Sequence, residues 1–207
     1  LLDRFRIKVI GYLGVLVSLL AAGRLLLNPS VFKYPIGEVP VLNWFLYGYG
    51  IPAGAFALAA VFYRKARWFR QSRYFAWLSG AFTFALLSLE TRHYFHPSNF
   101  PHGSTGSIEW ATYSNVWLIA ALILLILSRR IKSDSMAEVG AAFMWVSMAK
   151  IVVVDVIAQN PLITKFDTGE FPLFNWLLYI YAVPLAVMFL ARRLHFRQAG
   201  SPSSLIS

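Results

Sequence analysis

Residues 37–52 read GEVPVLNWFLYGYGIP and residues 169–184 read GEFPLFNWLLYIYAVP. Extended to 28–52 and 160–184, the two stretches align without a gap at an offset of 132, and 12 of 25 positions are identical. The shared residues are Asn28, Pro29, Lys33, Gly37, Glu38, Pro40, Asn43, Trp44, Leu46, Tyr47, Tyr49 and Pro52 with their counterparts. Such identity at a fixed spacing marks an internal repeat. Each part of the phrase has a physical job. Asn28-Pro29 and Asn160-Pro161 end a helix, because proline disfavours helical geometry in the residue before it. Pro40 and Pro172 suit the first position of the next helix, and Glu38 and Glu170 meet the positive end of its dipole. Trp44 and Trp176 suit head-group depth. Asn43 with Tyr47, and Asn175 with Tyr179, share a face and are expected to hydrogen-bond to neighbouring helices. Pro52 and Pro184 break the backbone ladder and predict a kink. Gly50-x-x-x-Gly54 and Ala182-x-x-x-Ala186 offer small residues at a helix-packing spacing.

The surroundings of the phrase say which solvent it meets. The chain is 58% hydrophobic, 16% aromatic and only 14% charged, more apolar surface than a soluble domain of 207 residues hides. Six runs reach the roughly 20 residues that cross a bilayer core as a helix: Ile7–Leu27, Pro40–Tyr63, Tyr74–Phe95, Ile108–Ser128, Met136–Gln159 and Pro172–Leu190. The fold class expected is all-α, a polytopic membrane helical bundle. It forms a single membrane domain of three in–out–in hairpins (1–63, 74–128 and 136–191) with a tail at 192–207. The repeat relates the first and third hairpins in parallel orientation.

Net charge is +10, yet its distribution speaks against nucleic acid as a partner. Arg4, Arg6 and Lys8 precede the first span. Arg64, Lys65, Arg67, Arg70 and Arg73 join the second to the third. Arg129, Arg130 and Lys132 join the fourth to the fifth, and Arg192, Arg193 and Arg197 follow the sixth. The intervening connections hold only Lys33 and Lys165. This bias places both termini in the cytoplasm and predicts an attraction to anionic membrane lipids. There is no cysteine, so disulfides are excluded. The first residues resemble a signal peptide, but the apolar run continues through Leu25–Leu27 and is read as a span. Leu1 is not an initiator methionine, and the chain is expected to be a segment of something longer.

Five charges fall inside the spans: Arg24, Glu90, Arg92, Lys150 and Asp155. Each is costly in hydrocarbon and is expected to face protein or water. Counted along the helices, all lie in or just below one outer layer. Arg24 and Arg92 are expected to pair with Asp155 and Glu90, with Lys150 beneath. Five residues on an α-helix turn through about 140°, so Lys150 and Asp155 are not expected to pair with each other. The cluster reads as an ionic latch fixing helix register, or as a polar pocket open to the outer side, with Glu38, Glu170, Asn43 and Asn175 as further binding candidates.

The densest chemistry is SLETRHYFHPSNFPHG at 88–103. Glu90, His93 and His96 recur at three-residue spacing and are weak metal candidates, with His102 in the following loop as a fourth. Di-iron bundles use Glu-x-x-His twice with further glutamates, and here it occurs once. No cofactor is implied. Hydrolase, phosphate-loop and dinucleotide motifs are absent. Glu90 and His93 remain the candidates for a general acid or base.

RLLLNPSVFKYPIGEVPVLNWFLYGYGIPA at 24–53, LETRHYFH at 89–96 and AKIVVVDV at 149–156 resemble, in order, the bacterial multi-pass membrane proteins known as domain of unknown function 2339. The resemblance implies one segment of a longer protein in a bacterial inner membrane, and it supplies no catalytic residue. The function expected is a non-catalytic envelope scaffold or binding module. Its partners would be membrane lipids, other helices of the parent chain or a larger complex. The rivals are a membrane enzyme acting on a lipid-linked or glycan substrate at the outer face through Glu90 or His93, and a proton-coupled transporter or channel using Glu90, Asp155 and Lys150. Transport asks for polar residues continuing to the cytoplasmic side, and the first, second and fourth spans are nearly devoid of them below the outer layer.

Overall fold

Long apolar runs can satisfy their backbone groups internally only as helices, and helix is what they form. The structure, a computed structural model, describes residues 2–27, 36, 37, 39, 41–98, 100, 102–159, 176 and 178–199. Among these there are six helices and no strand. They are α1 (Leu2–Leu27), α2 (Leu46–Lys65), α3 (Phe69–Phe95), α4 (Ser107–Arg130), α5 (Asp134–Ala158) and α6, which starts as Leu178–Ala182 and continues as Val183–Ala199. Each falls on one of the six apolar runs. By length and composition α2, α4 and α5 can cross a membrane; shorter apolar stretches lie at Gly11–Leu25 and Leu178–Ala191.

Three of these helices contain π-helical turns, in which N–H groups reach back five residues rather than four. They occupy Leu46–Gly50, Ile151–Ala158 and Leu178–Ala182. The first ends two residues before Pro52 and the third two residues before Pro184. A proline has no N–H and its ring crowds the carbonyl four residues back. The backbone absorbs this by opening the preceding turn, so that Ile51 N–H bonds to the Leu46 carbonyl. The kink expected at each proline therefore takes the form of a wider turn.

The chain divides into two compact units, Leu1–Gly103 and Ser104–Ser207. In the first, α2 packs along α3, and its core joins Ala22 of α1, Phe45, Tyr49 and Ala53 at the start of α2, and Phe82 of α3. Tyr49 O–H donates to the Leu25 carbonyl at 3.3 Å, and the α3 serines 72 and 79 donate to the α2 carbonyls of Ala60 and Ala53. At Gly11 α1 comes close to the α2–α3 turn: a Cβ there would lie 2.2 Å from the Trp68 ring. Gly50 faces Leu86 of α3, but Gly54 faces open space, so only half of that small-residue pair is used within the unit. In the second unit α4 packs along α5, and α6 lies against α4. Ala111, Leu118 and Ala121 of α4, Val139 and Phe143 of α5, and Ile180 and Val187 of α6 are buried. A Cβ on Gly140 would stand 3.1 Å from Leu124 and Leu125, so α5 approaches α4 closely here.

Both units bury polar side chains among their apolar ones and expose large apolar side chains. The buried residues include Ser72, Thr91, His93, Glu109, Ser114, Asn115, Ser128, Ser147 and Asp155, whereas Leu20, Leu58, Phe62, Trp145, Val153 and Leu185 are exposed. Water would penalise that arrangement at every helix face. Lipid does not, because packing and hydrogen bonds rather than apolar burial hold helices together there.

The connections α2–α3 and α4–α5 are single tight turns of the same build. Trp68 N–H reaches Tyr63 O (2.9 Å) and Arg67 N–H reaches Arg64 O (3.0 Å). Ser133 N–H reaches Ser128 O (2.8 Å) and Lys132 N–H reaches Arg129 O (3.3 Å). This is the Schellman helix ending, which needs one residue in the left-handed region. Arg67 (φ 61°) and Lys132 (φ 51°) take that place. For a residue with a Cβ the cost is about 1–2 kcal/mol.

Candidate functional site

Two polar clusters form, one in each unit. The first is built where α2 begins. Asn43 caps this helix: its Oδ1 accepts from Phe45 N–H at 2.8 Å and Leu46 N–H at 3.4 Å. Its Nδ2 is left to point at α3, donating to Glu90 Oε2 at 3.0 Å and lying 3.4 Å from His93 Nδ1. Val41 N–H donates to the same Glu90 oxygen at 3.1 Å, and does so with φ 71°, a costly conformation for a β-branched residue. Glu90 Oε1 is buried without a hydrogen-bond partner. His93 is only 2% exposed, its ring edge-on to Phe45 at 6.1 Å, and Phe45 lies in turn against Phe100.

Glu90 and His93 thus share a face as their spacing predicts. His96 departs from it. The helix ends at Phe95, and His96 caps it with φ −133°, its ring beside Gly103. Gly103 holds φ 116° and a Cβ there would come within 2.8 Å of His96 Nδ1. Arg92 donates to the Gly103 carbonyl at 2.6 Å, which ties the end of α3 to the loop that follows. Among the described residues no group of three or more His, Cys, Asp or Glu is placed to hold a metal ion. Tyr47, expected to share Asn43's bonding face, is exposed and stacks on Trp44 at 5.2 Å. Capping turns Asn43 inward, and the π-turn beginning at Leu46 brings Tyr49 to the inner side in place of Tyr47.

The second cluster corrects a sequence expectation. Lys150 and Asp155 do pair, with Nζ to Oδ1 at 2.8 Å and side-chain exposures of 9% and 3%. The 140° separation assumed an α-helix, and residues 151–158 are π-helical. Where each N–H reaches back five residues, position i+5 lies above position i. Lys150 also donates to Ser114 Oγ at 2.7 Å and to the Trp110 carbonyl, and Nζ lies 5.2 Å from the Trp110 ring centre. Ser114 Oγ in turn donates to Asp155 Oδ2 at 2.5 Å. An ammonium has three N–H donors, and all three are used. The sequence pairs Asp155 with an arginine; the structure gives it Lys150 and Ser114.

Around this core, Asn115 Nδ2 donates to the Tyr179 carbonyl at 3.1 Å, in the π-turn of α6, and Tyr179 O–H donates to Thr112 Oγ1 at 3.2 Å. A π-turn leaves carbonyls available, and Asn115 takes one. Its own Oδ1 is buried without a partner. Glu109, in the first turn of α4, is 2% exposed and accepts from Tyr113 O–H at 3.3 Å. The sequence reading missed Ser114, Asn115 and Glu109. The available signal for Glu109 was Tyr113 four residues on, one turn away on the same helix face. Glu38, Glu170 and Asn175 lie outside the described residues.

Chemically, the serine, lysine and carboxylate are all within bonding distance: Lys150 donates to Ser114, and the serine proton is directed to Asp155. No curated protein and no solved structure matches the chain. A family model matches residues 3–158, well over half of its length, and by that match the chain belongs to DUF2339, the family described as predicted membrane protein.

Proposed function

We propose that the chain is a six-span module of a bacterial inner membrane, with both termini cytoplasmic, acting as a non-catalytic scaffold or binding element. The observation that carries the reading is the closure of Lys150, whose three donors are all spent on Trp110, Ser114 and Asp155. A buried charge so completely satisfied by its own unit fixes helix register and leaves nothing for a substrate. The burial of His93 against Phe45 favours the same positional role for the Glu90 cluster. In this reading the helices run as three in–out–in hairpins, and the basic turns face the cytoplasm. The parallel repeat of the first and third hairpins is supported by the π-turns Leu46–Gly50 and Leu178–Ala182, which stand 132 positions apart before equivalent prolines. The exposed apolar faces would meet lipid, helices of a longer parent chain or a larger complex.

Two experiments test this. The chain has no cysteine, so single cysteines report sidedness cleanly. Glu38→Cys, Glu170→Cys and Ser104→Cys should react with an impermeant thiol reagent in intact cells, and Ser133→Cys and Ala66→Cys should not. Glu38 and Glu170 on opposite sides would end the hairpin scheme. The variant Lys150→Met/Asp155→Leu should keep its level in membranes and the size of its assemblies on native gels. Lost assembly with the fold intact would make the pair a ligand or partner site.

A further inference from the structure

The two tight turns make the same choice at their corners. Glycine fits a left-handed corner without strain, and asparagine fits better than most. Both turns instead place a long cation there, Arg67 and Lys132, at positive φ. The dipole of each preceding helix is already served by Arg64 and Lys65, or by Arg129 and Arg130, in its last turn. The corner cations are therefore additional, and both are exposed. Their neighbours in the chain are unusual for a solvated turn. Phe62 and Phe69, on either side of Arg67, are 65% and 66% exposed, and Leu127 and Ile131, before Lys132, are exposed as well. A soluble anion or an acidic peptide would have no use for these apolar flanks. A phospholipid has a phosphate for the cation and acyl chains for the flanks.

Resting on the membrane reading above, we infer that each turn is a seat for an anionic phospholipid, with Arg67 or Lys132 on the phosphate and the flanking apolar side chains along the acyl chains. A cation near an anionic membrane surface strengthens binding about fivefold. The positive-φ corner projects that cation beyond the helix end.

The test uses the full chain in bilayers containing phosphatidylglycerol with a photoreactive group on its acyl chain, and maps adducts by peptide mass spectrometry. Adducts should concentrate on the peptides spanning 62–69 and 127–133. Arg67→Gly and Lys132→Gly should each cut the yield at their own turn about fivefold, and Arg67→Lys should restore it. Thermal stability of Arg67→Gly should not fall, because glycine relieves the strained corner. Added inorganic phosphate should not compete, and photoreactive phosphatidylcholine should label the turns weakly. The inference is overturned if the glycine variants label like the parent, if Arg70→Gln costs as much as Arg67→Gly, if phosphate competes, or if phosphatidylcholine labels the turns equally. An absence of adducts from either lipid on every helix would instead overturn the membrane reading itself, and this inference with it.

Discussion

Removing the Asp155 carboxylate should be among the most damaging single changes available to this chain. Asp155→Ala leaves Lys150 as an ammonium, 9% exposed, facing only the Trp110 carbonyl and Ser114. It also takes from Ser114 the acceptor that lies 2.5 Å away. Breaking one side of a buried pair costs about 3–5 kcal/mol, because a charge remains without its counter-charge. Lys150→Met strands the carboxylate and should cost a similar amount. The double variant Lys150→Met/Asp155→Leu strands neither, and buried pairs replaced by apolar residues of similar volume are often neutral or better. The two single losses should therefore exceed the double loss by at least ~3 kcal/mol, a coupling typical of directly bonded groups. Reversible unfolding in mixed micelles, followed by tryptophan fluorescence, measures all three. A coupling near zero, or a double variant no better than either single one, would refute the latch.

Further outcomes follow from the packing. Asn43→Ala removes the α2 cap and one of the two donors to Glu90 Oε2, and should cost about 1–3 kcal/mol in the same unfolding assay. Asn43→Asp keeps the cap acceptor but sets a second carboxylate beside Glu90 in place of a donor, so it should also lose stability in that assay. Gly140→Leu forces a side chain where a Cβ alone would touch Leu124 and Leu125 at 3.1 Å, and should cost about 1–3 kcal/mol. Pro52→Ala restores a missing N–H, and should let Leu46–Gly50 rewind as α-helix; amide exchange across those residues should slow, and unchanged exchange would mean the proline does not hold the π-turn open.

Helix existence was legible from the sequence because runs of twenty apolar residues leave few alternatives. Glu90 with His93 was legible because three residues is nearly one α-turn. The Lys150–Asp155 pair was hidden by the assumption of a constant α-helical period. The stretch IVVVDVIA carried a signal, since β-branched side chains crowd a tight α-turn and six of its eight residues are of that kind. Asn43 was read for its face, when its distance from the helix start made it a cap. Ser114 and Asn115 carry no pattern of their own, and their role exists only once α5 and α6 lie against α4.

The wide turns of α5 make its length unequally forgiving. If one residue between Lys150 and Asp155 were deleted, the segment could wind as ordinary helix, and a four-residue separation would still set ammonium and carboxylate side by side. An inserted residue has no regular winding to fall back on, and would swing the acid away from Ser114. Natural drift in the length of this helix should therefore run toward shortening.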